Sequence, residues 1–184
     1  MQLVALSGSP SARSRSAWLL QLAQTRLEAV VRQASTLTLR DLPAQPLLAA
    51  DAQHPAIQAA LQSVAQADVV LVATPIYKAA YSGLLKTFLD LLPAEALRDK
   101  IVLPLATGGS SAHLLALDYA LKPVLCALGA RSILDGVFAA DAQLVAHEAG
   151  GYVPDAALLR RLDRALAPLL ERAAPRPEPL RCSA

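Results

Sequence analysis

Apolar residues occur along the chain in two patterns, short continuous runs and longer stretches with helical spacing. The short runs predict strands at residues 2–6, 35–39, 68–74, 101–107 and 132–138. The longer stretches predict helices between and after them, and the last one places Leu158, Leu162, Leu166 and Leu169 on one face. This repeated order of strand then helix predicts an α/β fold, in which a doubly wound five-stranded parallel sheet carries helices on both faces.

Two features of the strands refine this prediction. Residues 69–72 read Val-Val-Leu-Val, which is typical of a parallel strand covered on both faces. Pro104 lies inside another predicted strand and predicts a bulge or a missing hydrogen bond, because proline cannot donate to the ladder. We expect one domain over residues 1–172 and a flexible tail at 173–184, where three prolines occur.

The composition narrows the class of protein. Of 184 residues, 54% are hydrophobic and 17% are charged, with a mean hydropathy of +0.39, which excludes disorder as the main state. The apolar fraction exceeds the usual ~45–50%, which suggests subunit contacts. The net charge of +2 does not favour nucleic-acid binding, and no apolar stretch is long enough for a membrane helix. Two cysteines and no signal-peptide pattern predict a cytoplasmic protein.

Three unusual loops follow predicted strands, at residues 7–16, 75–82 and 107–111. Because the carboxyl ends of parallel strands share one edge of the sheet, these loops are expected to form one ligand site. The first combines five serines and two arginines before a helix, which suits a phosphate. The alternative is that Ser14 or Ser16 only caps the helix.

The other two loops suit a flat ligand. Pro75, Ile76 and Tyr77 could form an apolar wall, and the glycines of Thr107-Gly108-Gly109-Ser110 allow the backbone to approach closely. The alternatives are a covered helix end and an ordinary tight turn.

Other chemistry is weakly indicated. The three histidines have no metal-ligand spacing, so we expect no metal site. Walker A, GxGxxG and GxSxG motifs are all absent from the sequence. Cys126 lies in an apolar stretch and is interpreted as a core residue.

The chain resembles the NADPH-dependent FMN reductases of the flavodoxin-like superfamily, above all the flavin reductases that partner alkanesulfonate monooxygenases. Gly8-Ser9-Pro10, Ser14-Arg15-Ser16 and residues 73–83, 103–109 and 113–125 carry the resemblance, which covers about residues 1–172. The family commonly has an arginine directly after Gly-Ser-Pro, where this chain has Ser11. Arg13 and Arg15 are the two candidates to replace that charge.

The resemblance implies a flavodoxin-like sheet with strand order 2-1-3-4-5. It also implies a homotetramer that binds FMN and NADPH and supplies reduced FMN to a sulfonate monooxygenase. The FMN phosphate would meet Ser9, Ser14, Arg15 and Ser16, with Arg13 as the other candidate cation. The flavin ring would lie against Pro75, Ile76, Tyr77, Lys78, Thr107, Gly108, Gly109 and Ser110.

Tyr119 is a further candidate for the flavin site. Pro123 has no N–H to bond the carbonyl of Tyr119, so the helix must kink or bulge there. Members of the family carry a π-helix at the matching tyrosine, near the flavin and the subunit interface. We therefore predict a π-turn near Tyr119, and the alternative is a simple proline kink.

The implied reaction is hydride transfer from NADPH to FMN, which requires no protein acid or base because the cofactors carry the chemistry. Replacing Arg15 by alanine is expected to weaken FMN binding far more than turnover. The alternatives are an FMN-containing quinone or azo reductase and a flavodoxin-type electron carrier. Flavodoxins are usually strongly acidic, and the net charge of +2 disfavours the carrier.

Overall fold

The computed structural model describes residues 1–148 and 150–173. The predicted flexible tail lies outside the described residues from position 174 onward. The strands are β1 (Gln2–Ser7), β2 (Gln33–Thr38), β3 (Val69–Tyr77), β4 (Ala80–Tyr81), β5 (Ile101–Gly108), β6 (Ser132–Ile133), β7 (Val137–Ala140), β8 (Leu144–Ala146) and β9 (Tyr152–Pro154). The α-helices are α1 (Arg15–Leu27), α2 (Ala44–Leu48), α3 (Pro55–Gln66), α4 (Gly83–Leu89), α5 (Lys122–Ala127) and α6 (Ala156–Ala173).

The central sheet is parallel and has the predicted order. β2, β1, β3 and β5 lie side by side, and both β6 and β7 pair with the far edge of β5. β6 and β7 together form the predicted fifth strand, so the order 2-1-3-4-5 is confirmed. The short β4 is antiparallel and pairs only with β3.

Each central strand buries side chains on both faces of the sheet. Val4 and Val70 belong to a core beneath α3, α4 and α5, whereas Leu3 and Val69 belong to a core beneath α1 and α6. Successive residues of a strand point to opposite faces, and both faces are covered, which explains why the apolar run at 69–72 has no polar position. The two cores place helices on both sides of the sheet.

Pro104 lies at the break between β6 and β7. The Val102 carbonyl accepts a 2.8 Å hydrogen bond from the Leu134 N–H, so the backbone polar groups of Val102 point towards the edge formed by β6 and β7. Residues two apart in a strand are oriented alike, so the backbone nitrogen of Pro104 points towards the same edge. The ladder with this edge resumes only at Leu105, opposite Val137. The missing N–H of Pro104 therefore falls where the neighbouring strand is interrupted, and the predicted missing hydrogen bond is accounted for.

The predicted π-turn is confirmed. The helical stretch predicted at 112–128 is divided into a 3-10 turn (Ser111–Leu114), a π-helix (Leu117–Leu121) and α5. At the end of the π-helix, the Lys122 N–H bonds the Leu117 carbonyl across five residues. Pro123 follows immediately, as expected for a residue that interrupts the α-helical ladder.

One prediction in this region is wrong. Cys126 is exposed on α5 rather than part of the core, because the buried side of this short helix is formed by Leu125 and Cys126 lies on the other side. None of the helices in the described part of the chain is long and apolar enough to cross a membrane.

Candidate active site

The first loop leaves β1 at the switch point of the sheet and packs tightly against α4. The Gly8 N–H donates to the Ala73 carbonyl at 2.8 Å, which ties the loop to β3. A Cβ at Gly8 would lie 2.9 Å from the Cβ of Leu85 and 3.1 Å from the Ala73 oxygen. Only glycine fits this approach, so the first loop is held directly beside the start of α4.

Buried hydroxyl groups connect the first loop to the second. The Ser82 hydroxyl donates to the Gly8 carbonyl and accepts a 3.1 Å bond from the Leu85 N–H, so it also caps α4. The Ser82 N–H donates to the Thr74 hydroxyl at 2.9 Å. Ser82 and Thr74 are 1% and 0% exposed, so these bonds form a buried joint between the two loops.

The serines of the first loop organise the beginning of α1. Ser14 is the N-cap: its hydroxyl accepts a 3.2 Å bond from the Ala17 N–H and lies 3.0 Å from the Ser16 hydroxyl. The Ser9 hydroxyl accepts from the Ser11 N–H at 3.2 Å. The capping role considered for Ser14 is therefore real. The N–H groups of the first helical turn and the absence of acidic residues there still favour an anion.

The second loop ends β3 in a two-residue hairpin turn. Lys78 and Ala79 both have positive φ, 50° and 65°. This conformation suits a type I′ turn but is strained for any residue other than glycine. Before the turn, Ile76 is 8% exposed and Tyr77 is 49% exposed. The strained turn therefore holds an apolar surface at the carboxyl edge of the sheet.

The third loop continues β5 at the same edge. A Cβ at Gly108 would lie 3.3 Å from both the His113 Nδ1 and the Phe138 ring, a tight contact that would require these side chains to move by a few tenths of an ångström. Ser110 then caps the following 3-10 turn by accepting from the Ala112 N–H at 3.3 Å.

The three loops enclose one cavity, as the sequence predicts. Its volume is about 220 Å³, and its wall includes Ser9, Arg13, Ser14, Arg15, Pro75, Ile76, Tyr77, Thr107, Gly108 and Gly109. Two wall residues, Ser11 and Asp141, were not predicted. The sequence marks Ser11 only as the position where the family has an arginine, and Asp141 comes from a distant segment whose position depends on the fold.

Four predicted site residues lie outside this wall. Ser16 is buried beneath the loop at 1% exposure, Lys78 is in the exposed turn, and Ser110 is an exposed cap. Tyr119 is 79% exposed on the π-helix. Within this single chain, Tyr119 is therefore directed to the protein surface rather than to the cavity.

Arg15 lies at the cavity and also holds the segment that covers it. Its Nε donates to the Leu144 carbonyl at 3.1 Å, and its Nη1 lies 3.5 Å from a carboxylate oxygen of Asp141. The guanidinium carbon is 5.1 Å from the centre of the Tyr152 ring. Arg15 thus connects α1 to the β8–β9 hairpin, and the planar guanidinium, with five N–H donors, retains donors for a further partner.

In the second loop, the pKa of Tyr81 is raised, which favours its neutral form. Burial raises the pKa of Tyr81, and the charge of Lys86 partly opposes this. This phenol of the second loop therefore stays protonated at neutral pH and contributes no charge to the site.

A larger cavity lies elsewhere in the part of the chain that the structure describes. It measures about 920 Å³ and is formed by α3 and residues 91–100, next to the amino end of β5. In parallel α/β sheets, ligands bind at the carboxyl ends of strands, so its size does not make it the active site. Among the described residues, no group of three or more His, Cys, Asp or Glu side chains could hold a metal ion.

The residues of the three-loop cleft fit a flavin mononucleotide. Hydroxyl groups, a helix N-terminus and arginine at one end suit a phosphate monoester, and the wall of Pro75, Ile76 and Tyr77 suits a flat ring. The parallel sheet and its switch point between β1 and β3 define a flavodoxin-like nucleotide-binding α/β protein. Residues 1–144 match the NADPH-dependent FMN reductase family. The chain belongs to this family and is therefore an oxidoreductase that uses FMN and NADPH.

Individual relatives agree with this assignment. The chain is 50% identical over 167 residues to an FMN reductase (NADPH) of Escherichia coli, covering 90% of this chain and 86% of the relative. It is 54% identical over 144 residues to an FMN reductase (NADPH) of Pseudomonas putida, covering 78% and 73%. A solved NADH:FMN oxidoreductase in its apo form has a TM-score of 0.84 and 38% identity, covering 96% of this chain and 91% of that one.

Proposed function

We propose that this FMN reductase releases its reduced flavin to a monooxygenase that acts on organosulfonates. The observation that carries the flavin chemistry is the meeting of the three loops in one cleft. The three loops would hold FMN, which would supply the redox chemistry as the hydride acceptor for NADPH, and the protein would contribute binding and orientation.

The phosphate end of FMN is assigned to the first loop. We assign phosphate contacts to Ser9, Ser14 and Arg15 because all three line the cleft. Ser16 supports Ser14 from beneath through their hydroxyl contact of 3.0 Å. The N-terminus of α1 adds a favourable field for the phosphate.

The ring end is assigned to the second and third loops. Pro75, Ile76 and Tyr77 provide the apolar face, and the Gly108–Gly109 backbone approaches from the carboxyl end of the neighbouring strand β5. Backbone N–H groups in this loop would stabilise negative charge on the reduced ring without a charged side chain.

The cleft suits a flavin that exchanges with solution. Pockets that bury most of a ligand usually measure about 300–1,000 Å³, whereas this cleft measures about 220 Å³. Much of a bound flavin would remain uncovered by this chain. Such exposure gives NADPH access to the ring and favours release of the reduced product.

Assembly is proposed as a homotetramer. Leu114, Leu115 and Tyr119 are 47%, 57% and 79% exposed and follow one another through the 3-10 turn and the π-helix. We name these residues the π-segment patch. An exposed apolar patch of this kind favours a subunit contact, which would also bring Tyr119 to a partner's flavin.

Anaerobic mixing of the purified chain with NADPH and excess free FMN tests the exchange. We expect the flavin absorbance to bleach well beyond one equivalent per chain. Bleaching that stops at one equivalent would contradict exchange and favour a reductase that keeps its flavin bound. Parallel assays with quinones as electron acceptors would then show whether the protein is a quinone reductase. Adding a sulfonate monooxygenase, an alkanesulfonate and oxygen should then give sulfite by cleavage of the C–S bond, and no sulfite would contradict the proposed partner.

A further inference from the structure

A second cavity adjoins the flavin cleft on the outer side of α1. It measures about 390 Å³ and shares Arg13 and Ser14 with the cleft. Its remaining wall comes from α1 and the β8–β9 hairpin and includes Trp18, Gln21 and Tyr152. We name it the hairpin cavity. Because Arg13 and Ser14 border both cavities, a ligand that extends past these two residues would reach both.

The hairpin cavity has an aromatic wall. The Trp18 and Tyr152 rings meet edge to face, with centroids 6.3 Å apart and an interplanar angle of 78°. A face of Tyr152 is already covered by the guanidinium of Arg15. The Trp18 indole N–H has no hydrogen-bond partner among the residues the structure describes. Trp18 thus offers both a flat surface and an available donor, which suits a purine base.

Arg13 supplies a positive charge with no competing partner. Within residues 1–148 and 150–173, its guanidinium makes no ion pair or hydrogen bond, in contrast to Arg15. No aspartate or glutamate is among the residues lining the hairpin cavity. An anion beside Arg13 would therefore gain charge-assisted hydrogen bonds without facing a carboxylate.

We propose that the hairpin cavity binds the adenosine 2′-phosphate end of NADPH, with adenine on Trp18 and the 2′-phosphate on Arg13. This rests on the proposed function, because the nicotinamide end must occupy the adjoining flavin cleft. The volume lies within the usual range of about 300–1,000 Å³ for nucleotide-sized ligands. Arg13 then distinguishes NADPH from NADH, and Trp18 contributes equally to both.

The only tryptophan of the chain is Trp18, so its fluorescence reports directly on this cavity. The full-length chain without added flavin is titrated with adenosine 2′,5′-bisphosphate, 5′-AMP and inorganic phosphate. We expect the bisphosphate to change Trp18 emission at the lowest concentration, 5′-AMP at a higher one and phosphate least. No change with the bisphosphate, or equal responses to bisphosphate and phosphate, would overturn the proposal.

Variants assign the two parts of the ligand. We expect Arg13→Ala to weaken bisphosphate binding and raise the KM for NADPH by about 10- to 100-fold, with little change for NADH. Arg164→Ala removes an equal charge from an exposed position of α6 and should change neither. Trp18→Leu should raise both KM values, and Trp18→Phe should restore them in part, because only phenylalanine retains a ring.

The outcomes separate the two proposals. If Arg13→Ala weakens FMN binding and affects NADPH and NADH alike, Arg13 serves the flavin phosphate and the hairpin cavity assignment is wrong. If the bisphosphate binds at Trp18 but NADPH does not reduce excess FMN, the cavity assignment stands and the proposed exchange reaction fails. If NADPH reduces excess FMN but the bisphosphate does not bind, the proposed exchange reaction stands and the cavity assignment fails.

Discussion

Gly8 and Gly83 show how the surroundings of a glycine determine the change in protein stability when a methyl group is added there. Both glycines flank the buried joint between the first two loops. A Cβ at Gly8 meets Leu85 and the Ala73 carbonyl within 3.1 Å, whereas a Cβ at Gly83 has no atom within 4 Å. The same substitution should therefore have opposite effects at the two positions.

We expect Gly8→Ala to destabilise the protein by about 1–3 kcal/mol, because the added carbon forces the loop away from α4. Gly83→Ala should be neutral or stabilising by about 0.5–1 kcal/mol, since alanine favours the helix. Urea unfolding measures both free energies. Equal losses at the two positions would show that packing at Gly8 is not the cause.

Arg15 and Asp141 allow binding to be separated from structural support. Asp141 adds a negative charge to the cleft wall while pairing with Arg15 at 3.5 Å. If Arg15 binds the phosphate, removing the two charges should have opposite effects on FMN affinity. If Arg15 only holds the hairpin, both removals should weaken the site.

Arg15→Ala is expected to raise the FMN dissociation constant by about 10- to 100-fold, with little change in turnover at saturating FMN. Asp141→Asn should leave FMN affinity unchanged or increase it, because it removes a repulsive charge. Flavin fluorescence titration gives both constants. A parallel loss of affinity in the two variants would contradict the phosphate role of Arg15.

Secondary-structure elements were predicted well where burial repeats along the sequence. Strands with continuous apolar runs, such as β3 and β5, were found within a few residues of their predicted ends. The π-helix followed from the missing N–H of Pro123. The sequence did not reveal α2, β4 or the β8–β9 hairpin, because these short elements depend on contacts with distant segments.

The candidate site was likewise predicted in some parts and not in others. Its three loops were predicted because strand ends are marked by glycine, serine and proline. Asp141 and the aromatic contact between Trp18 and Tyr152 were not, since their partners are more than 120 positions apart in the chain. Their meeting depends on how the chain returns over α1 after β7.

The β3–β4 turn gives a prediction at the element scale. Ala79 has φ of 65°, which glycine adopts without strain. Ala79→Gly is expected to stabilise the protein by about 0.5–1 kcal/mol. The matched variant Ala80→Gly, in β4, should destabilise it by a similar amount. Thermal unfolding compares them, and a loss of stability in Ala79→Gly would contradict strain in the turn.

Surface apolar residues matter at the scale of the whole molecule. Leu115 in the π-segment patch and Leu48 at the end of α2 are 57% and 76% exposed, so neither supports the core of a single chain. Only the first lies beside the π-helix. Charged substitutions at the two positions therefore compare a proposed subunit contact with an ordinary exposed leucine.

Leu115→Glu should shift the assembly towards smaller species and raise its dissociation constant by about 10- to 100-fold, because the apolar contact is lost and a charge is placed in it. Leu48→Glu should leave the assembly unchanged. Mass photometry over a dilution series measures the distribution. An assembly unaffected by Leu115→Glu would exclude the π-segment patch as its contact.

The interruption at Pro104 also affects how neighbouring molecules can meet. The border strand beyond β5 consists of separate pieces of two and four residues, β6 and β7. Neither is long enough to recruit a foreign strand and extend the ladder, which protects the protein against fibre-like aggregation along that border. The interruption beside this one proline therefore leaves little continuous backbone at that border for a neighbouring strand to pair with.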